Sequence, residues 1–185
     1  MKTLLLPLLL SATLAGPAHA DEIVDTINSA LKAYKDGDFV VAKEDLDYAS
    51  QLLAKQKATG LSRLLPKELA GWARKDGDTQ ALGAGMFGGG TMASAEYSKG
   101  EKNLNIQLMA DNPMMAAVAG MFNNPSLMGA AGTQKRINRQ KVMIDSDGEM
   151  TSMIGKVLVQ ISGDASIEDK EAYFNALDIK ALEGF

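Results

Sequence analysis

The chain is expected to fold as an α+β protein, on three observations. Apolar residues near its start recur with a helical period, and from Thr91 onward they alternate with a period of two. Tight turns, rather than repeated strand–helix–strand units, separate the later elements. The expected architecture is an N-terminal α-hairpin followed by an antiparallel β-sheet with helices packed on one face.

Residues 1–20 read MKTLLLPLLLSATLAGPAHA. Lys2 supplies a positive start, Leu4 to Leu14 a short apolar core, and Ala18-His19-Ala20 a small-x-small site. This pattern is that of a signal peptide cleaved after Ala20, and its core is too short to span a bilayer. The expected location is the periplasm. No later run is long and apolar enough for a membrane helix.

Residues 21–58 are expected to form the helical hairpin. Ile23, Ile27, Ala30, Leu31 and Tyr34 make one apolar stripe; Phe39, Ala42, Leu46, Ala49, Leu52 and Leu53 make a second. Asp36-Gly37-Asp38 stops one helix and starts the next, with Gly37 suited to a left-handed C-cap and Asp38 to an N-cap. Thr59-Gly60 is the expected end of the second helix. Through Ala30, Tyr34, Gly37, Phe39, Ala42, Leu46 and Ala49 the segment resembles a single tetratricopeptide unit. No second copy follows, so the concave groove of an array is not expected. The hairpin must cover its stripe with the rest of the chain or with a partner. Tyr34, Phe39 and Tyr48 are its candidate contact residues.

Residues 59–90 read as an irregular linker, with Leu64-Leu65-Pro66 and Trp72 as apolar plugs and Trp72 a core anchor. Residues 91–185 read as the antiparallel α+β domain. Ala93, Ala95 and Tyr97 alternate with polar residues. Lys99-Gly100-Glu101-Lys102 turns the chain, and Leu104, Ile106 and Leu108 alternate again. Asn112-Pro113 opens a short helix to Phe122. Three strands follow: residues 135–137 leading into 140–144, then 150–154, then 157–162. Asp147-Gly148 and Gly155-Lys156 mark the turns between them. Ser166 caps a last helix over 167–177. Three stretches, Leu64-Leu65-Pro66 with Gly71-Trp72, Met86 to Gly90 with Tyr97-x-Lys99-Gly100, and Leu158 to Ile161 with Gly163, resemble a family of bacterial exported proteins of uncharacterised activity. That likeness implies an exported protein of this fold and implies no chemistry.

Composition excludes several functions. The chain has no Cys, and its one His, His19, leaves with the signal peptide. Ser-His-Asp and Cys-His catalysis and His/Cys zinc sites are therefore not expected. The net charge of −4 becomes −5 once Lys2 is removed, which offers no electrostatic footprint for nucleic acid.

Four motifs remain. Residues 83–88, GAGMFG, satisfy the dinucleotide pattern G-x-G-x-x-G, but no buried parallel strand enters and no helix leaves. Asp145-Ser146-Asp147-Gly148 begins like a calcium loop, yet Ile154 stands where the bidentate Glu belongs. Met109, Met114, Met115 and Met121, with Met128, cluster in the 109–128 region. Thioethers bind Cu(I), so a soft-metal carrier is one reading, and Met also lines apolar ligand grooves or fills cores. Carboxylates are plentiful, which leaves a carboxylate-dependent envelope hydrolase as another alternative. The leading expectation is an exported, soluble, non-catalytic binding or interaction module without a cofactor. Its partner is expected to be another periplasmic protein or an apolar ligand.

Overall fold

The computed structural model describes residues 18–77, 80–82, 90–112, 115, 119–120 and 132–185. The chain divides into two units, Met1–Leu52 and Leu53–Phe185. In the first, helix α1 (Ala18–Lys35) turns into α2 (Phe39–Ser62), whose residues from Leu53 onward belong to the second unit. Gly37 takes φ +85°, the Asp38 N–H reaches back to the Ala33 carbonyl at 2.9 Å, and the Asp38 carboxylate accepts from the Val41 N–H at 3.1 Å. These are the stop and start signals expected from Asp36-Gly37-Asp38. Ile23 and Ala30 of α1 and Ala42 and Ala49 of α2 are buried, and small side chains let helices approach closely. Tyr48 donates its hydroxyl to the Glu22 carboxylate at 2.8 Å, tying α2 to α1. Asp45, half-buried in α2, has a buried Oδ2 without a hydrogen-bond partner.

In the second unit the described strands are β1 (Ala73–Asp76), β2 (Gln80–Leu82), β3 (Gly90–Lys99), β4 (Lys102–Ala110), β5 (Thr133–Ile137), β6 (Gln140–Ile144), β7 (Met150–Ile154) and β8 (Val157–Ser162). They form one antiparallel sheet in the order β1-β3-β4-β8-β7-β6-β5, with β2 also pairing β3. Helices α3 (Ile167–Asn175) and α4 (Ile179–Glu183) follow. The α+β class and the antiparallel sheet agree with the sequence.

Register explains the burial. Ala93, Leu108, Val159, Ser152 and Val142 are successive partners across five strands, and all are buried. Ala95, Ile106, Ile161 and Met150 form the neighbouring buried row. Alternation with period two puts these rows on one face, where Leu61, Leu65, Trp72, Tyr173 and Phe174 complete a single apolar core.

Several bounds differ from expectation, each for a physical reason. Helix α2 runs through Thr59-Gly60 to Ser62. Burial of Ala58 and Leu61 there outweighs the cost of a helical Gly, about 1 kcal/mol. Strands β1 and β2 lie within the stretch read as irregular. Their sequences, ARKD and QAL, carry no alternation, and pairing with β3 imposes the extended form. Asp76 pairs with Ala95 and Gln80 with Met92, so between these pairs the edge has one residue more than β3. Residues 133–144 form a hairpin of two strands. Ser166 caps α3 as expected, accepting the Asp169 N–H at 3.2 Å, but α3 ends at Asn175 and Asp178 then caps the unanticipated α4. The expected helix at 113–122 lies largely outside the described residues.

An aromatic group joins the layers. Tyr97 and Tyr173 lie 4.4 Å apart between ring centroids, and Trp72 meets Tyr173 edge-on at 5.3 Å. The Tyr97 hydroxyl donates to the Pro66 carbonyl at 2.6 Å, and the Tyr173 oxygen accepts from the Leu69 N–H at 3.2 Å. Arg74 also donates to Pro66 and Leu65 carbonyls. Burial pushes both phenols above the ordinary tyrosine value.

Tyr173→Ala should cost roughly 3–5 kcal/mol by urea denaturation. Tyr97→Phe should cost about 1 kcal/mol, because Arg74 still satisfies the Pro66 carbonyl. A phenol raised in the folded state keeps its full stabilising effect below the unfolded value of about 10 and loses it above, since the unfolded chain ionises first. Stability should therefore fall above about pH 10, and Tyr97→Phe should reduce that fall.

Candidate functional site

The second face of the sheet is unlike the first. Met92, Met109, Leu158 and Met153 are successive cross-strand partners on β3, β4, β8 and β7, an apolar row across the sheet. Beside it runs a polar row, Ser94, Gln107, Gln160 and Thr151, ending at Met143. Gln107 joins the two by donating its amide N–H to the Met92 sulfur at 2.6 Å.

At one end of this face lie two adjoining cavities of about 270 and 410 Å³, which share Ala119, Met153 and Gly155. Two chain reversals and a strand end meet there. Antiparallel pairing brings the end of β4, the β5–β6 turn and the β7–β8 turn to the same end of the sheet. Buried Asn112 and Met115 and half-buried Ala119 and Met153 line the smaller cavity; exposed Asp111 and Lys156 rim it. The larger is bordered by Arg136, Arg139, Gln140 and Lys141. The smaller has a mainly apolar lining and the larger a mainly polar, cationic one, and both open to solvent, so the two form a shallow cleft with an apolar part and a basic part.

The backbone here is costly. Among the described residues, three without a Gly side chain take positive φ: Asp111 at 56°, Asn138 at 48° and Arg139 at 65°. All three stand at this end of the sheet. Asn138-Arg139 is a two-residue hairpin connection of the mirror-image type, in which both residues need positive φ. Asn tolerates that conformation and Arg does so at a cost of roughly 1–2 kcal/mol.

The charges are also unbalanced. Lys32, Lys43, Lys57, Arg74, Lys102 and Lys135 each hold a carboxylate. Arg136, Arg139, Lys141 and Lys156 hold none among the described residues. Arg136 and Lys141 are direct cross-strand partners, and like charges so placed repel. Of the nearby acids, one is neutralised by a lysine and one keeps its charge beside the rim. Asp111 pairs with Lys57, whose ammonium also sits 5.5 Å from the Phe185 ring centre. Glu183 accepts from the Gln140 amide at 3.2 Å. The rim therefore presents net positive charge in an acidic chain.

The methionines chosen from the sequence are partly resolved by this geometry. Met115 lines the cleft, while Met109 is half-buried in the apolar row beside Met92. Met114 and Met121 lie outside the described residues. Met92 and Met153 belong to the wider methionine set of the sequence, but that they share a row with Met109 follows only from cross-strand register. The basic rim was also missed. Its signal was present: the chain has no Asp or Glu from Asn112 to Ile144, and Lys135, Arg136, Arg139 and Lys141 crowd around one turn.

The other motifs resolve more simply. GAGMFGG at 83–89 lies outside the described residues, but its flanks Leu82 and Gly90 are paired positions of antiparallel strands. A dinucleotide cradle needs a helix after the third Gly, whereas β3 begins at Gly90. The Asp145 carboxylate accepts the N–H groups of Asp147 and Glu149 at 2.9 and 2.8 Å, closing the turn between β6 and β7 on itself. Glu168 is held below the ordinary carboxylate value by a backbone N–H and the Ser166 hydroxyl; Asp169 is held down by Ser166 and Lys102. These acids are biased toward fixed charge, opposite to what a general acid needs.

On the hairpin, Tyr34 and Phe39 are exposed (62% and 65%) and pack edge-on at 5.7 Å; Tyr48 is exposed but anchored to Glu22. Comparisons with known proteins return no match: no family model, no curated protein and no solved structure is similar to the chain.

Gly155, at the cleft, has φ +58°, and a Cβ there would meet the Glu183 Cα at 2.9 Å. Gly100 has nearly the same φ, +63°, in open space. Gly155→Ala should therefore destabilise more than Gly100→Ala, by about 1–3 kcal/mol beyond the shared backbone strain. Paired denaturant titrations measure the difference.

Proposed function

We propose that the chain is a non-catalytic binding protein of the bacterial periplasm, and that its cleft takes an amphiphilic anion, an acyl chain with an acidic head group. One observation carries the reading: Arg136 opposite Lys141, with Arg139 beside them, forms an unpaired cationic rim next to the apolar lining of Met115, Ala119 and Met153. The apolar part gives affinity by burying chain, at about 0.8 kcal/mol per CH₂. Guanidinium groups bind a carboxylate or phosphate through two parallel hydrogen bonds. The anion also relieves the repulsion between Arg136 and Lys141, a stabilisation the empty rim lacks. The signal-like N-terminus supports the location, and the absence of His and Cys after Ala20 supports a non-catalytic role.

The soft-metal alternative keeps one specific observation, the cross-strand neighbours Met92 and Met109. Against it, Met92 already accepts a hydrogen bond from Gln107.

Titration calorimetry with dodecyl phosphate, dodecyl maltoside and inorganic phosphate tests the proposal. Dodecyl phosphate should bind saturably and the other two at least tenfold more weakly. Arg136→Ala should weaken dodecyl phosphate roughly tenfold or more, the worth of a hydrogen bond to a charged group. Added salt should weaken it further. Equal binding of the neutral and anionic detergents would refute the cationic rim. Stoichiometric Cu(I) binding without detergent binding would favour the methionine reading instead.

A further inference from the structure

The described methionines of the second unit divide by face. Met92, Met109, Met143 and Met153 are half-buried and stand on the second face of the sheet, whereas Met150, on the core face, is sealed at 1% exposure. Register extends the apolar row of the second face by two positions. Val142 pairs with Ser152, which brings Lys141 level with Met153, and Lys141 pairs with Arg136. The row therefore runs Met92, Met109, Leu158, Met153, Lys141, Arg136, and it passes from thioether to cation between β7 and β6. Met153 is the last sulfur before the cations. It lines both cavities, while Met115 lines only the smaller and Met143 neither.

We infer that Met153 is a methionine-oxidation site that switches the cleft off, with a peroxide as the oxidant. The chain has no Cys, so thioethers are its only readily oxidised sulfurs. The Met153 lone pair attacks one peroxide oxygen: an S–O bond forms, the O–O bond breaks, and water leaves. Sulfur is oxidised by two electrons and the peroxide is reduced by two. The open cleft admits so small an oxidant to Met153, and the core shuts it off from Met150. Met92 already engages a lone pair with the Gln107 amide, which makes its sulfur a poorer nucleophile. The sulfoxide then changes two things together. The apolar lining gains a polar oxygen, and burying a ligand's chain against it costs free energy. That oxygen also stands beside Lys141, since direct neighbours across strands have Cβ atoms about 5 Å apart. The ammonium donates to it, so a cation of the rim is engaged by the protein itself. The effect on ligand rests on the cleft being the anion site proposed above, whereas the oxidation and the new hydrogen bond do not.

Timed hydrogen peroxide treatment of the chain, followed by peptide mass spectrometry, reads the order of oxidation. Met153 should react roughly tenfold faster than Met150, because susceptibility follows exposure. Calorimetry with dodecyl phosphate should show about tenfold weaker binding after treatment, the scale of a polar group placed in an apolar lining. Methionine sulfoxide reductases should restore it. In Met153→Leu, whatever its starting affinity, peroxide should leave the binding where it was before treatment. Acylation of Lys141 by an amine reagent, measured without detergent, should slow after treatment in the wild type and not in Met153→Leu. Met150 reacting as fast as Met153 overturns the site. Wild-type binding indifferent to peroxide, an equal loss in Met153→Leu, or Lys141 acylation that ignores the treatment overturns the switch. Untreated protein that does not bind dodecyl phosphate sinks the ligand reading alone; the order of oxidation and the Lys141 acylation then decide on Met153.

Discussion

The contact between Tyr97 and Tyr173 is the constraint on which the second unit depends. Each ring is buried, and each hydroxyl must find a polar partner or cost free energy. Tyr97 finds Pro66 and Tyr173 finds Leu69, so both bonds land on the segment between α2 and β1. A stretch without its own periodicity is thereby held against the sheet by two phenols from distant parts of the chain. Trp72 closes the group on the same ring of Tyr173. Aromatic residues make up only 5% of the sequence, and three of them are spent on this junction. Strand β1 follows at once, and Arg74 adds its guanidinium to the same carbonyls.

With one face of the sheet committed to that core, the other is free to differ. Its apolar row is built mainly from methionine, which fits irregular space without a fixed shape. The chain reversals at one end bring together left-handed backbone, a repelling cation pair and a cavity. None of these stabilises the fold by itself. Their coincidence at one place is what distinguishes the cleft from an ordinary surface depression.

The sequence was most legible where local chemistry decides the structure. Gly37 with Asp38, and Ser166 before its helix, act through backbone groups a few residues away, so each signal is complete in the sequence. The alternation of Leu104, Ile106 and Leu108 is likewise local and marks a half-buried strand without knowledge of its neighbours. Strands β1 and β2 were hidden because their extended form comes from β3. The cleft was hidden for a related reason. Lys156 and Arg139 stand in different turns and come to the same end of the sheet only through the order β8-β7-β6-β5. Met109 was visible as a residue type, but its company of Met92, Leu158 and Met153 follows from register alone.

Among the described residues the sheet ends at two margins, and their composition bears on how the protein behaves in a crowd. An unpaired strand edge is a template for the next chain, and added strands lead to aggregates. At one margin β1 reads ARKD; at the other β5 reads TQKRI, with four of its five residues exposed. Strands β1 and β5 are short and carry cations, which discourages another chain from zipping on. The β5 margin includes Arg136, so the residue proposed to hold an anion also guards the edge. Neutralising it with a bound anion removes part of that protection. On the proposed reading, solubility and occupancy would be linked at one side chain, and the β5 edge of a loaded protein would lean more on Lys135, which Glu171 of α3 holds in place.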